Sequence, residues 1–215
     1  MEIAVSLLIG YGFGLFQTGA LYGKIKGVDL RHSGSGNTGM TNVMRTSGFK
    51  AGVITFIGDA GKALLSMLVV WLIFRDSAYN VDNAVRVCTL AAALGAVCGH
   101  NFPFYMKFKG GKGIACTAGV VIGFFPPFMA ISFGLFALFA LTTKYVSLGS
   151  LFLVSSFYAQ LIVFGQLGVF KMQQADLLKL YIIGAFFVVL AFVRHKDNIK
   201  RLINGTENKF SLGKS

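Results

Sequence analysis

Long apolar runs recur along the chain and restrict its fold more than any other feature. Charged residues make up only 13% of the 215 residues, and 55% are hydrophobic. About 20 apolar residues in an α-helix cross the roughly 30 Å of hydrocarbon in a bilayer. The pattern therefore predicts a multi-span helical membrane protein, with apolar segments at residues 3–23, 51–74, 84–99, 114–142, 148–166 and 177–193.

The apolar segment 114–142 is too long for one crossing and short for two. Pro126 and Pro127 stand near its middle. Proline cannot donate a backbone hydrogen bond and disrupts a helix interior, so the pair predicts a tight turn between two short or tilted helices. The whole chain is then an all-α bundle of about seven transmembrane helices.

Positive charge is concentrated in segments that alternating spans would place on one side. The loops 24–50, 100–113 and 143–147 and the tail 194–215 hold 15 of the 20 Lys and Arg residues. By the positive-inside rule this side is the cytoplasm. We therefore expect one transmembrane domain, residues 1–215, in the cell membrane, with the N-terminus outside and the C-terminus and any active site on the cytoplasmic side.

The net charge of +12 and the three cysteines exclude little by themselves. The charge is better explained by basic loops facing anionic lipid and an anionic substrate than by nucleic acid. Cys88, Cys98 and Cys116 lie in apolar or small-residue surroundings without a CxxC or Cys/His pair, so we expect packing roles rather than disulfides or zinc. We expect no metal and no cofactor, and the first apolar run, which lacks a cleavage site, should be a span.

Gly99 to Gly113 form a polar segment, here called the glycine–lysine segment, between two apolar runs. Its glycines allow positive φ and close approach of a ligand to the peptide groups. Successive N–H groups beside Lys112, at the start of a helix, predict a phosphate site. The order of residues differs from a Walker loop. The alternative is a basic interfacial loop that only contacts lipid headgroups.

The first polar loop reads GSGNTGMTNVMRTSG from Gly34 to Gly48. Arg45 offers a bidentate fork suited to phosphate. Hydroxyl and amide groups are supplied by Ser35, Asn37, Thr41 and Asn42. A flexible turn is the alternative for a loop of this composition, but its place on the same membrane face as the glycine–lysine segment favours a site.

The basic tail places His195 and Asn198 three residues apart, on one helix face that can point back at the bundle. The charged residues around and after them, including Arg201 and Glu207, are expected to solvate an interfacial helix. Ser147, just before the sixth span, is either the cap of that helix or a site residue.

Three motifs recur in order: GSGNTGMTNVMR from Gly34, GHNFP with FKGGKG from Gly99, and HKDNIKRLINGTE from His195. This pattern resembles the bacterial PlsY-type acylphosphate:glycerol-3-phosphate acyltransferases, and the resemblance extends over nearly the whole chain. Proline, alanine and threonine are common in that family at three positions that here carry Thr38, Met40 and Cys116. These departures leave the polar positions intact.

The resemblance implies transfer of a fatty acyl group from acyl-phosphate to the sn-1 hydroxyl of glycerol 3-phosphate. The products are lysophosphatidic acid and phosphate, at the first step of phospholipid synthesis. The implied partners are these substrates, membrane lipid and the phosphotransacylase that produces acyl-phosphate, with no nucleic acid. No acyl-CoA is implied, and the sequence agrees, because no histidine has an aspartate five residues later; those positions hold Asn37, Tyr105 and Lys200.

Residue chemistry and the resemblance together predict the site residues. Those expected to act in catalysis are Ser35, Arg45, Lys112, His195 and Asn198. Those expected to bind substrate are Gly36, Asn37, Thr41, Asn42, His100, Gly110, Gly111, Gly113 and Ser147. His195 is a candidate general base because an unperturbed imidazole has a pKa of about 6.5. The alternative is that a substrate phosphate takes the proton and His195 only orients.

A channel or transporter for a phosphorylated solute is the other class of protein that fits a basic membrane face. Such a protein would carry charged groups deep inside several spans. Here only Asp59 and Lys62 lie well inside a span, three residues apart, and we expect them to form an ion pair facing the interior.

Overall fold

The computed structural model describes residues 1–77 and 80–210, which form α-helices and short 3₁₀ turns without a β-strand. The ten α-helices of these residues are α1 (Glu2–Gly14), α2 (Thr18–Lys26), α3 (Met40–Ser47), α4 (Phe49–Phe74), α5 (Val85–Asn101), α6 (Ile114–Phe124), α7 (Phe128–Thr143), α8 (Val146–Gln166), α9 (Gln174–Arg194) and α10 (Lys196–Ile203).

Five helical stretches of the described residues are long and apolar enough to cross a membrane: Glu2–Lys26, Phe49–Phe74, Val81–Met106, Val146–Gln166 and Gln174–Arg194. Two shorter apolar helices, α6 and α7, lie between the third and fourth of these. The predicted all-helical membrane architecture is thus confirmed at the level of five long stretches and two short ones.

The first apolar run is broken at residues 15–17 instead of forming the single helix that we expected. Polar side chains bond the carbonyls that the break frees. Gln17 Nε2 donates to Gly14 O (3.3 Å), and Lys62 Nζ donates to Phe16 O. A broken helix is tolerated in apolar surroundings where neighbours satisfy the freed groups in this way.

α5 is the central helix, and nearly all of its side chains are buried. Glycines allow α1 to pack against it backbone to backbone. A Cβ at Gly10 would collide with the backbone of Ala92, and one at Gly14 with that of Ala96. Lipid removes the hydrophobic advantage of large side chains between helices, so close contacts of this kind hold the pair together.

The expected turn at Pro126 and Pro127 is confirmed, since α6 ends and α7 begins on either side of it. Aromatic rings hold the turn against the bundle. Phe124 meets Phe157 edge to face at 6.2 Å between ring centroids, and Phe125 meets Phe164 at 5.9 Å. Edge-to-face contacts are the favoured geometry of buried aromatic pairs.

Helices extend further into the polar loops than the sequence indicated. α3 lies inside the first polar loop, where Val43 packs with Leu30 and Ala51 in a small buried cluster. α5 continues to Asn101, so His100 belongs to its last turn and not to the loop. These helices give the polar segments fixed positions at one end of the bundle.

Candidate active site

One cavity of about 360 Å³ opens where the α2–α3 loop, the α5–α6 connection, the start of α8 and the tail meet. Its polar wall includes Ser35, Asn37, Thr41, Asn42, Arg45, His100, Lys112, Ser147, His195, Asn198, Arg201 and Glu207. Its apolar wall includes Phe56, Ile114, Ala118, Phe133, Phe136 and Leu153. A cavity with one polar and one apolar wall suits a ligand with an ionic head and a hydrocarbon tail.

Asn42 organises the first polar loop from within. Its Nδ2 donates to three carbonyl oxygens, on Leu30, Ser33 and Asn37, and its Oδ1 accepts the N–H of Ser35 (2.7 Å). A buried amide with both ends bonded fixes the backbone around it. The loop is therefore not a flexible turn, and Asn42 acts by holding Ser35 at the cavity.

The GGKG turn lacks the row of free N–H groups that we predicted for it. The N–H of Gly110 donates to Asn101 O and that of Gly111 to His100 O, both at 3.1 Å. Of its three glycines only Gly113 has a positive φ, of 80°. The other two are required for close approach, because a Cβ on either would collide with His100. The prediction of Gly110 and Gly111 as anion-binding N–H donors is therefore wrong.

Arg194 clamps the same turn from the end of α9. Its Nη2 donates to Gly110 O and Gly111 O, both at 2.9 Å, and its guanidinium lies 5.3 Å from the ring centroid of Phe102. A planar guanidinium makes such forked bonds with little loss of freedom. This contact ties the glycine–lysine segment to the helix that leads into His195.

A buried chain of polar groups lies beneath the turn. Lys62 Nζ donates to Asp59 Oδ1 at 3.0 Å, as the expected ion pair, and to His100 Nδ1 at 2.8 Å. An ammonium group only donates, so Nδ1 accepts and the ring proton lies on Nε2. A Cβ on Gly111 would meet that Nε2. His100 thus supports the turn that carries Lys112.

Lys112 reaches across the cavity and donates to Asn198 Oδ1. Burial lowers the pKa of Lys112 to about 8, against the opposing influence of the Glu207 carboxylate. The lysine stands just before α6, whose first intrahelical bond runs from Thr117 N to Gly113 O (2.8 Å). The earlier N–H groups of that turn have no intrahelical partner, and a helix start of this kind attracts anions.

Glu207 connects three parts of the polar wall. Its Oε1 accepts from Ser147 Oγ (3.0 Å) and Asn198 Nδ2 (2.7 Å), and its Oε2 accepts from Arg201 Nε (2.8 Å). Although partial burial acts to raise the pKa of Glu207, these donors outweigh it and the pKa is lowered. The carboxylate therefore stays ionised and fixes the tail over the start of α8.

His195 stands between α9 and α10 and is buried. Its Nδ1–H donates to Ala191 O at 2.7 Å, which leaves Nε2 as the acceptor. Burial lowers the pKa of His195 to about 4, and the charge of Lys112 acts in the same direction. The imidazole is therefore neutral at neutral pH, with a lone pair free to accept a proton.

The sequence profile described as glycerol-3-phosphate acyltransferase matches residues 4–205 of this chain. The chain belongs to this family. The acyltransferase of Bacillus subtilis (strain 168) is 35% identical over 210 residues, covering 97% of this chain and 98% of that one. The acyltransferase of Thermosipho melanesiensis is 36% identical over 209 residues, covering 97% and 93%.

Two crystal structures have the same fold. Both are of PlsY (YgiH), an integral membrane glycerol 3-phosphate acyltransferase. Its glycerol 3-phosphate form has a TM-score of 0.83 and 31% identity, over 98% of this chain and 96% of that one. Its lysophosphatidic acid form has a TM-score of 0.81 and 30% identity, over 99% and 97%. The chain is thus a multi-pass integral membrane member of the family.

Most of the residues predicted for the acyltransferase site line the cavity, namely Ser35, Asn37, Thr41, Asn42, Arg45, His100, Lys112, Gly113, Ser147, His195 and Asn198. Gly36, Gly110 and Gly111 lie outside that lining. Ser147 is not the cap of α8, because Tyr145 occupies that position. Its hydroxyl is committed to Glu207 instead.

Three residues that shape the site are not predicted from the sequence: Arg201 and Glu207, which line the cavity, and Arg194, which holds the turn beside it. Arg201 and Glu207 were read as solvent-facing residues of the tail, but they pair at 2.8 Å and both line the cavity. The position of Glu207 at the end of the third motif was the available signal. In residues 1–77 and 80–210, no group of three or more His, Cys, Asp or Glu side chains is arranged to hold a metal ion.

Proposed function

We propose that this protein transfers a fatty acyl group from acyl-phosphate to the sn-1 hydroxyl of glycerol 3-phosphate, releasing lysophosphatidic acid and phosphate. Family membership supports the acceptor and the class of reaction. The observation that carries the proposal is the cavity itself, whose lining combines Arg45 and Lys112 with the apolar side chains of Phe133 and Phe136. Two phosphate groups and one acyl chain match that arrangement.

The acyl-phosphate is assigned to the side of the cavity formed by Lys112, Ser35 and the start of α6. The helix start and the ammonium group favour the phosphate that leaves. The hydrocarbon chain lies along the apolar wall between α4, α6, α7 and α8. Gly110 and Gly111 serve this subsite indirectly, by letting the turn rest on His100.

Glycerol 3-phosphate is assigned to the opposite side, where Arg45 binds its phosphate and Asn37 and Thr41 supply further polar groups. Ser147, His195 and Asn198 face its hydroxyl groups. Gly36, Asn42 and His100 keep these groups in place without touching substrate. Holding two anions side by side is the main task, since the mixed anhydride already contains a good leaving group.

The reaction forms a bond between the acceptor oxygen and the acyl carbon and breaks the bond from that carbon to the phosphate oxygen. The hydroxyl proton passes to Nε2 of neutral His195 or to the departing phosphate. Because the pKa of His195 is about 4, it is a weak base, and proton transfer to it follows C–O bond formation. The positive charge that it then gains stands close to the phosphates.

We infer further that residues 1–215 form one domain of seven spans with the N-terminus outside. Each of the segments that line the cavity joins helices at the same end of the bundle, which supports a single cytoplasmic site. The donor would be delivered there by the phosphotransacylase that makes it, and no nucleic acid takes part. α6 and α7, at 11 and 16 residues, are the two short spans of this proposal.

The test is phosphate release by purified protein given palmitoyl-phosphate and glycerol 3-phosphate. We expect release only when both are present, and none with palmitoyl-CoA as donor. Lys112→Ala and Arg45→Ala should each lower turnover about a hundredfold or more. Lys109→Ala, which removes an exposed lysine outside the cavity lining, is the matched control and should keep wild-type turnover.

A transporter would give a different result in the same experiment. It would move glycerol 3-phosphate into vesicles without releasing phosphate from the acyl donor. That outcome, or wild-type turnover by Lys112→Ala, would refute the proposed reaction.

A further inference from the structure

A second cavity, of about 500 Å³, lies at the other end of the bundle from the active site. It is formed by the C-terminal half of α4, the start of α5 and the end of α6, and its lining is Leu64, Leu65, Met67, Leu68, Trp71, Asn83, Val85, Arg86, Thr89, Gly123 and Phe124. α4 leads away from the active site and α5 returns to it, ending at His100 and Asn101. The two cavities therefore lie at opposite ends of these helices.

Arg86 is the cation of this cavity, and it lacks a counter-ion. Within residues 1–77 and 80–210, no carboxylate lies within ion-pair distance of its guanidinium. Its one side-chain hydrogen bond in that part of the chain is a long one, 3.5 Å from Nη1 to Phe124 O. The guanidinium also lies over the rings of Phe124 and Phe170, at 5.9 and 5.5 Å from their centroids.

A half-buried guanidinium has five donors, and here most of them have no protein acceptor. A charge without a partner is costly near hydrocarbon, so such residues pair with an anion or face water. The rings of Phe124 and Phe170 attract the positive charge, but they do not replace the paired hydrogen-bond acceptors that a guanidinium fork can bind. Arg86 is thus arranged to receive an anion from outside the chain.

The other lining residues indicate what kind of molecule carries the anionic group. Leu65 and Leu68 are 53% and 49% exposed on the outer face of α4, where a soluble anion would meet only apolar side chains. Trp71 lies one turn further along, and tryptophan is enriched at the level of lipid headgroups. A phospholipid would place its hydrocarbon chain beside Leu65 and Leu68 and its phosphate beside Arg86.

We propose that this cavity binds a phospholipid with an anionic headgroup, with its phosphate on Arg86 and an acyl chain along α4. A zwitterionic lipid is a poorer ligand because its ammonium group offsets the phosphate charge near the guanidinium. The lipid bridges α4, α5 and α6, whose residues line the cavity around Arg86. It takes no part in acyl transfer, which uses the other cavity.

Trp71 makes this testable, because it is the only tryptophan of the chain and it lines the cavity. Purified protein is reconstituted in vesicles in which either the phosphatidylglycerol or the phosphatidylcholine carries brominated chains, at equal mole fractions. Bromine quenches tryptophan fluorescence on contact. We expect phosphatidylglycerol to be preferred about fivefold over phosphatidylcholine, the factor that one basic side chain supplies near anionic lipid.

Arg86→Gln should abolish the preference, and Arg86→Lys should retain part of it. Arg75→Gln is the matched control: Arg75 lies 4.9 Å from the centroid of Trp71 but outside the cavity lining. Arg75 is paired with Asp76 at 3.0 Å, so its removal beside the same reporter should leave the preference unchanged. Equal quenching by both lipids in the wild type, or a preference lost with Arg75→Gln and kept with Arg86→Gln, would overturn the proposal. If Arg86→Gln fails to fold, equal quenching by both lipids in the wild type still overturns the proposal, and a reduced preference in Arg86→Lys supports it.

Discussion

At the scale of single residues, the site depends on charges that are held by other side chains. Glu207 receives three hydrogen bonds, from Ser147, Asn198 and Arg201. Asn198 in turn accepts from Lys112. Lys112 is therefore oriented by a series of hydrogen bonds that begins in the tail. Its burial, which lowers its pKa, sets its charge at a given pH.

The alkaline side of the pH profile should report Lys112. Its pKa is about 8 because of burial, so it is charged below that pH and neutral above it. We expect kcat/KM, which reports the free enzyme, to fall as pH rises through about 8. Lys112→Arg, which stays charged, should be slower but should lack this fall, whereas Lys109→Arg should keep it. A profile in Lys112→Arg with the wild-type fall would contradict the assignment.

At the scale of secondary-structure elements, the glycine–lysine segment is shaped by what lies under it. His100 sits in the last turn of α5, and the turn that follows packs on its ring and carbonyl with no room for a side chain at Gly111. Arg194 holds the same turn from α9. α5 and α9 thus fix the position of Lys112 at the cavity.

Gly111→Ala should therefore displace the turn. The added methyl group would overlap His100, and overpacking of this kind costs about 1–3 kcal/mol. We expect a large loss of kcat/KM with only a small shift in the thermal unfolding midpoint, since Lys112, the proposed phosphate-binding lysine, moves with the turn. Gly61→Ala, where a Cβ meets nothing within 4 Å, should leave kcat/KM unchanged and raise the midpoint slightly, because alanine is more stable than glycine in a helix interior. Wild-type kcat/KM in Gly111→Ala would show that the close packing of Gly111 on His100 does not affect activity.

At the scale of the whole molecule, the polar segments lie at one end of the bundle because each follows or precedes a helix that crosses it. In the proposed orientation the basic residues of these segments face the cytoplasm, as the positive-inside rule predicts. This proposed topology would make the cytoplasm the compartment that supplies the substrates.

Cysteine labelling in intact cells tests the topology. In a background with the three native cysteines replaced by alanine, a cysteine at Asp76 should react with a membrane-impermeant maleimide added outside. A cysteine at Lys26 or Asn208 should react only after the cells are permeabilised. All three positions are exposed, so differences in labelling report the side of the membrane. Labelling of Lys26 and Asn208 on opposite sides would rule out a single site built from both segments.

The sequence was sufficient for features that depend on local composition. Apolar length predicts the spans, the proline pair predicts the break between α6 and α7, and three short motifs identify the polar residues and the family. Each of these can be read from a few neighbouring residues, because the bilayer imposes the same requirement on every crossing helix.

The tertiary structure decided which polar groups remain available. Gly110 and Gly111 lie in a glycine- and lysine-rich sequence that is typical of an anion site, but their N–H groups donate to carbonyl oxygens at the end of α5. Glu207 lies in a tail whose composition predicts solvent exposure, but Arg201, Asn198 and Ser147 donate hydrogen bonds to its carboxylate. Arg86 lies near the start of the apolar segment 84–99, and only the fold shows that α4 and α6 enclose it. A hydrogen bond depends on the partner that folding brings within 3 Å, and such partners lie far away in the sequence.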